Sequence, residues 1–164
     1  MATYDLSPEM ASAEITESLV TAIDNRSYSL IVVNYANPDM IGHTGNYNAT
    51  VKAMEIVDVY IGKLMEAVCQ AQGTLIITAD HGNAEYMHDS DGCPHTAHTT
   101  NLVPFILLEG EGIKIPGHGG NAQLRDNGSL ADIAPTILEI LNVPQPKEMD
   151  GKSLIQPVSY EVRT

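Results

Sequence analysis

Six histidines occur in this chain of 164 residues, and four of them fall within one stretch, "ITADHGNAEYMHDSDGCPHTAHTT". Asp80 and His81 stand together where an apolar run ends, and His88, His95 and His98 follow them. A second apolar run leads into "NYANPDMIGHTG", which sets Asp39 and His43 four residues apart. Carboxylate oxygen and neutral imidazole nitrogen together suit Mn2+ or Zn2+, with no thiolate required. Two such ions roughly 3.5–4 Å apart can hold both the attacking and the leaving oxygen of a phosphoryl displacement. Neighbouring side chains on extended backbone point to opposite sides. Asp80 and His81 therefore face one centre only if the chain bends sharply, which Gly82 permits. Gly42 and Gly45 give comparable freedom around His43.

The other candidates read as ordinary structural residues. His88 and His118 lie in polar or Gly-rich surroundings, and His95 is placed with them, or behind its neighbour His98 as a supporting residue. "DSDG" at residues 89–92 lacks the remaining positions of a calcium loop and reads as a turn.

The totals agree with a metal. A hydrophobic content of 43% and a charged content of 18% describe a folded globular chain of one domain's length. The net charge of −13 excludes nucleic acid and anionic membrane surfaces as partners, because like charges repel. With only 8 Lys plus Arg, an anionic substrate would need a metal ion to offset that acidity. Cys69 and Cys93 are too few for a disulfide framework and read as free thiols of a reducing cytoplasm. "MATYDLSPEM" is not a signal peptide, and no apolar run approaches the ~20 residues of a membrane span. A cytoplasmic location is expected.

Positioning these residues falls to an alternation of helices and apolar strands. Ser7-Pro8-Glu9 predicts a helix start, with Ile15, Leu19 and Ile23 on one face as far as Asn25. Residues 29–35 predict a buried strand. Val51, Met54, Val57, Ile61, Leu64 and Val68 predict a longer helix closed by Gly73. Further strands follow at 74–79 and 103–109, then a Gly-rich connector with a small hairpin. Ser129 caps a last helix through Ile133, Ile137 and Leu141. No linker divides domains. The pattern predicts an α/β layered fold with a mainly parallel sheet flanked by helices, its ligands beyond the carboxyl ends of the strands. Three strands make a meagre sheet for such a fold.

"NYANPDMIGHTG", "ITADHGNAE" and "HTAHTTNLVPF" closely resemble three consecutive motifs of the cofactor-independent phosphoglycerate mutases, members of the alkaline phosphatase superfamily. "TYDLSPEM" near the start and "LADIAPTILEIL" with "PQPKEMDGKSLI" near the end are similar to that family too, so the resemblance runs along nearly the whole chain. It implies a partial alkaline-phosphatase-like fold and two Mn2+ ions in the full enzyme. Zn2+ fits the family less well, and imidazole ligands count against Mg2+. Carried over by residue, the resemblance gives the first metal to Asp39, His43 and His98, choosing His98 over His95. It gives the second, in part, to Asp80 and His81.

The implied parent reaction interconverts 3-phosphoglycerate and 2-phosphoglycerate in glycolysis, through a serine that takes up the phosphoryl group. That family's enzymes are much longer. Their serine nucleophile and another aspartate ligand come from an N-terminal segment, and their phosphoglycerate-gripping arginines and lysine from an inserted domain. This chain, residues 1–164, resembles the C-terminal part of their metal-binding phosphatase domain. No serine here sits in a nucleophile-like turn, and none of Arg26, Arg125 and Arg163 lies beside the metal motifs. The isolated chain is therefore expected to be inactive and to expose strand edges that favour self-association. A metal-dependent phosphohydrolase of the same superfamily, or a non-catalytic metal-binding fragment, are the alternative readings.

Overall fold

The computed structural model describes residues 4–110, 115 and 122–157. The middle of the Gly-rich connector with its expected hairpin, His118 and Arg163 lie outside the described residues. The chain forms two compact units, Met1–Gly110 and Glu111–Thr164, a division for which the sequence shows no linker.

The first unit is built on α3, Tyr47–Gln70, whose Asn46 side chain accepts a hydrogen bond from the Ala49 amide. Its buried stripe is Ala49, Thr50, Ala53, Val57, Tyr60, Leu64 and Ala67, in steps of three and four. Val51 and Met54, expected on that face, are exposed. Small residues occupy the stripe because other helices pack closely there: Ile41 of α2 (Asn37–Gly42) lies fully buried with Ala49 and Ala53.

Helix α1, Ser12–Asp24, starts later than its sequence signals suggest. Residues 7–10 close a turn, the Met10 amide donating to Ser7 O at 3.1 Å, and Met10 adopts a φ of 47°, which no right-handed helix accommodates. The face of α1 that is buried carries Ser12 and Thr16, while Ile15, Leu19 and Ile23 stay half-exposed. Polar atoms at this seam are paired. Asn37 donates to the carbonyls of Pro8 (2.8 Å) and Glu9 (2.9 Å) and accepts from Ser12 Oγ (3.0 Å). Thr16 Oγ1 meets Tyr35 Oη at 2.6 Å. Tyr60 donates to Glu9 at 2.6 Å, and this bond, with burial and the neighbouring carboxylates, pushes the phenol up to about 12. The first residue of α2 is thereby tied to the turn before α1.

The sheet departs from expectation. It has two strands, β1 (Thr74–Thr78) and β2 (Phe105–Glu109), paired antiparallel with Thr74 opposite Glu109 and Thr78 opposite Phe105. A parallel pair needs a crossover on the far side of the sheet, whereas residues 79–104 form no helix and simply return the chain. Residues 29–35 are extended but unpaired, with Val32 80% exposed. Their apolar character suits a strand covered on both faces, and the described residues provide no neighbour for it. The α/β class holds, while the parallel order is not found among the described residues.

The second unit is organised around Asp132. Ser129 caps the short 3-10 turn Leu130–Asp132, which runs on into α4, Ile133–Ile140. The Asp132 carboxylate accepts from the amides of Lys152 (2.7 Å) and Ser129 (2.8 Å) and pairs with Arg125 Nη2 at 2.8 Å. Those backbone donors, ahead of the guanidinium, lower its pKa to about 2 against an opposing push from burial. Arg125 also donates to the carbonyls of Ser153, Asn127 and Lys152, so each of its three nitrogens is engaged in structure.

A carboxyl held below its ordinary value stabilises the fold above the unfolded pKa, and that contribution disappears as pH falls through the folded one. Stability from Asp132 is therefore complete above about pH 4 and fades toward about pH 2. Asp132→Ala, which strands buried amide donors, is expected to cost this unit about 2–3 kcal/mol at neutral pH. Hydrogen exchange at the Lys152 and Leu154 amides measures both effects. In the variant, the decline between pH 4 and 2 should vanish.

Candidate metal centre

Asp39 and His43 sit on and just after α2, whose brevity hides it from periodicity. Pro38 in the first turn needs no amide partner there, and Asp39 favours the positive end of the helix. A spacing of four residues puts both side chains on one face. Gly45, at φ 70°, turns the chain from α2 toward α3.

The other half comes from the loop between β1 and β2. The ladder of the sheet is extended by a bridge from Gly82 to Thr99, the Thr99 amide donating to Gly82 O at 2.8 Å. Residues flanking a rung of an antiparallel pair are neighbours across it. His81 and His98 flank this one and stack, ring centroids 3.6 Å apart and 17° from parallel. Glycine at 82 serves space and not an unusual backbone angle: a Cβ there would overlap Thr99 Oγ1 and the Glu85 carboxylate.

These two halves meet at one oxygen. Asp39 Oδ1 lies 3.1 Å from His43 Nε2 and 3.1 Å from His98 Nε2, and those nitrogens are 3.0 Å apart. One donor atom from each residue falls within 4.8 Å of the others, the arrangement a small cation requires. His43 Nδ1 is 2.6 Å from Thr96 O. A carbonyl only accepts, so Nδ1 carries the proton and Nε2 presents its lone pair to the cluster. An acceptor oxygen and a lone pair in such proximity repel unless a proton or metal cation lies between them, so the donor set fits a divalent metal.

Asp80 and His81 are placed differently. His81 Nε2 is 4.0 Å from Asp39 Oδ1 and 3.5 Å from Asp80 Oδ1, so it borders the cluster. Its Nδ1 is buried without a hydrogen-bond partner. The Asp80 side chain is 83% exposed, outside the group of three. His88 and His95 turn away: His88 lies against Tyr47, His95 edge-on to Tyr86. The 89–92 segment is a turn in which Asp89 accepts from the amides of Asp91 and Cys93.

Two residues went unnoticed in the sequence. Asn83, buried at 5% exposure, donates from Nδ2 to Asp39 Oδ1 at 3.0 Å. Glu85 accepts from the Asn83 amide at 2.6 Å, from Asn101 Nδ2 at 2.9 Å and from Thr99 Oγ1. Burial would raise the Glu85 carboxyl, but these donors outweigh it and hold the group below its ordinary value. An Asn and a Glu following Asp-His-Gly carry no ligand signature of their own; only the fold reveals what they touch.

Over 162 residues the chain is 65% identical to the 2,3-bisphosphoglycerate-independent phosphoglycerate mutase of Gloeobacter violaceus, covering 99% of this chain and 30% of that protein. Against the enzyme of the same name from a Cyanothece species the identity is 61%, covering 99% and 31%. The chain thus spans about 30% of the length of the curated relatives it matches. Among solved structures, the phosphoglycerate mutase of Leishmania mexicana, determined at low cobalt concentration, superposes with a TM-score of 0.83 at 32% identity, over 96% of this chain and 30% of that one. The model of the metalloenzyme superfamily matches residues 1–145, and the chain belongs to that superfamily.

Proposed function

We propose that this chain is the C-terminal, metal-binding part of the phosphatase domain of a phosphoglycerate mutase, which interconverts 3-phosphoglycerate and 2-phosphoglycerate in glycolysis. The convergence of Asp39, His43 and His98 on one point carries the reading, in a chain so similar to mutases from end to end. Asp39, His43 and His98 would hold one ion, and Asp80 with His81 would begin the site of a second. Bound there, a divalent metal would supply Lewis-acid charge to the oxygens of a phosphoryl transfer. The ligand set suits Mn2+, with Zn2+ and Mg2+ less favoured. The Leishmania mexicana mutase was determined with cobalt, another divalent ion of the same series.

In the reaction the chain's own part is to hold and orient. The Thr96 carbonyl fixes the His43 tautomer, and Asn83 fixes the Asp39 carboxylate. The nucleophilic serine, the second ion's remaining ligands and the phosphate-gripping cations would come from other segments of the enzyme. Every nitrogen of Arg125 is engaged within the fold, on Asp132 and three carbonyls. Val32, together with Leu30 and Val33, presents an apolar edge for such segments to cover, and copies of the isolated chain would associate through it. Both cysteines are free and exposed, in keeping with a reducing cytoplasm, and no described helix is long and apolar enough to cross a membrane.

Mn2+ added to the metal-stripped chain should raise its melting midpoint, by about 2.7 kcal/mol of stabilisation at a hundredfold excess over Kd. Asp39→Ala with His98→Ala should abolish the rise; a rise that survives in the double variant would place the metal elsewhere. In an enolase-coupled assay the pure chain should give no turnover with Mn2+ present, and co-expression with the remaining enzyme segments should restore it. Turnover by the pure chain would sink the division of labour proposed here.

A further inference from the structure

Asn83 breaks a packing rule in a place where leucine would obey it. Its side chain is buried, and its Oδ1 has no hydrogen-bond partner. Such an orphaned acceptor lowers stability, so the residue has a different use. That use is visible at the other end of the amide. A carboxylate only accepts, so the group facing Asp39 Oδ1 at 3.0 Å is Nδ2.

The neighbourhood is shaped around this contact. Gly42, one residue before His43, is the floor on which the amide rests, and a Cβ there would overlap Asn83 Oδ1. Behind it, Glu85 accepts from the backbone N–H of Asn83 with one oxygen and from the Thr99 and Asn101 side chains with the other. Thr99 follows His98 directly, so one carboxylate ties Asn83 to the strand that carries the third member of the cluster. Three segments, α2, residues 81–85 and residues 98–101, are thus joined through one amide and one carboxylate.

We propose that Asn83 is a positioning residue of the metal centre: it locks the Asp39 carboxylate in the rotamer that faces His43 and His98, and Glu85 holds it there. This rests on the metal reading above. It adds that affinity depends on a residue which touches no metal and contributes nothing to stability. Partners of this kind typically change metal affinity by about 10- to 100-fold.

Asn83→Leu keeps the volume and removes the donor. In the full chain, titrated with Mn2+ alone by calorimetry, it should bind about 10- to 100-fold more weakly while its metal-free melting midpoint is unchanged or higher. Glu85→Gln, which cannot accept from the Asn83 amide in the same way, should weaken binding in the same direction and by less. It keeps the question decidable if Asn83→Leu does not fold. A variant that melts lower yet binds Mn2+ as the parent does would show a structural role and overturn the proposal. A third readout needs no metal. In 15N spectra of the metal-free chain one Asn83 side-chain proton should exchange slowly and lose that protection in Asp39→Ala. If the parent chain takes up no Mn2+, the metal reading fails, and this exchange alone decides the positioning: protection that survives Asp39→Ala overturns it.

Discussion

One carboxylate oxygen with two imidazole nitrogens drawn to about 3 Å around it is the contact on which the rest of the site is built. Asp39 Oδ1 can only accept, and Thr96 O holds a proton on Nδ1 of His43, so in the neutral ring Nε2 faces the cluster with its lone pair. Bringing such atoms together costs energy that a shared proton or a metal cation returns. Everything near them works to hold the arrangement against that repulsion. The Asn37 amide anchors α2 through three hydrogen bonds at its first residue, and the isolated Gly82–Thr99 bridge beyond the strand pair sets His81 and His98 diagonally across it. Two frames of different kinds, a helix seam and a strand pair, are aimed at one point.

The frames differ in how they are stabilised. Where α1, α2 and α3 meet, the buried residues are small or polar, Ser12, Thr16, Asn37, Ala49 and Ala53 beside Ile41, so the polar groups among them must pair. Rigidity there comes from hydrogen bonds whose directions admit one geometry. The sheet has only two strands, its residues mostly half-buried, and a pair so small is marginal on its own. What steadies the loop is the Glu85 carboxylate, which ties both of its arms more firmly than the strands do. The side chain is negative in a chain of net charge −13, and it can be so because every donor aimed at it is a neutral amide or hydroxyl fixed by the fold.

How far this could be read beforehand depended on whether a property was local. Asp39 and His43, which meet in the cluster, stood out by residue type at the end of an apolar run, as did Asp80 and His81, which do not join it, and the helix after Ser129 by its cap and period. The choice of His98 over His95 came from resemblance alone; in space it follows from one step of register, since His98 adjoins the bridge and His95 pairs its amide with Met87 O instead. Helix α2 was illegible because six residues are too few for a period. The α1 stripe misled because apolar spacing marks a face able to be buried, while Ser12 and Thr16 mark the one that is. For residues 29–35 the strand pattern was present without a neighbour to pair with. Hydrogen-bonding partners are a property of the assembly, and no local pattern contains them.

That last case separates two parts of the chain. Asp132 with its donors and the Asn37 seam are complete in themselves, each buried polar atom meeting a partner supplied within the same unit. Leu30, Val32 and Val33, and the 96% exposed Leu102 before β2, are incomplete in the same measurable sense. Leu30, Val32 and Val33 follow one another where the chain runs toward Asp39, and Leu102 follows His98 and Thr99 closely. The exposed apolar residues therefore stand, along the chain, just before and after the segments that deliver the cluster. Desolvation strengthens charge–dipole contacts, so the Asn83–Asp39 hydrogen bond, with its donor buried, is stronger than the same pair would be in water. The amide of Asn83 is dry, while the carboxylate it meets is still a third exposed, so the pair spans the edge between interior and water.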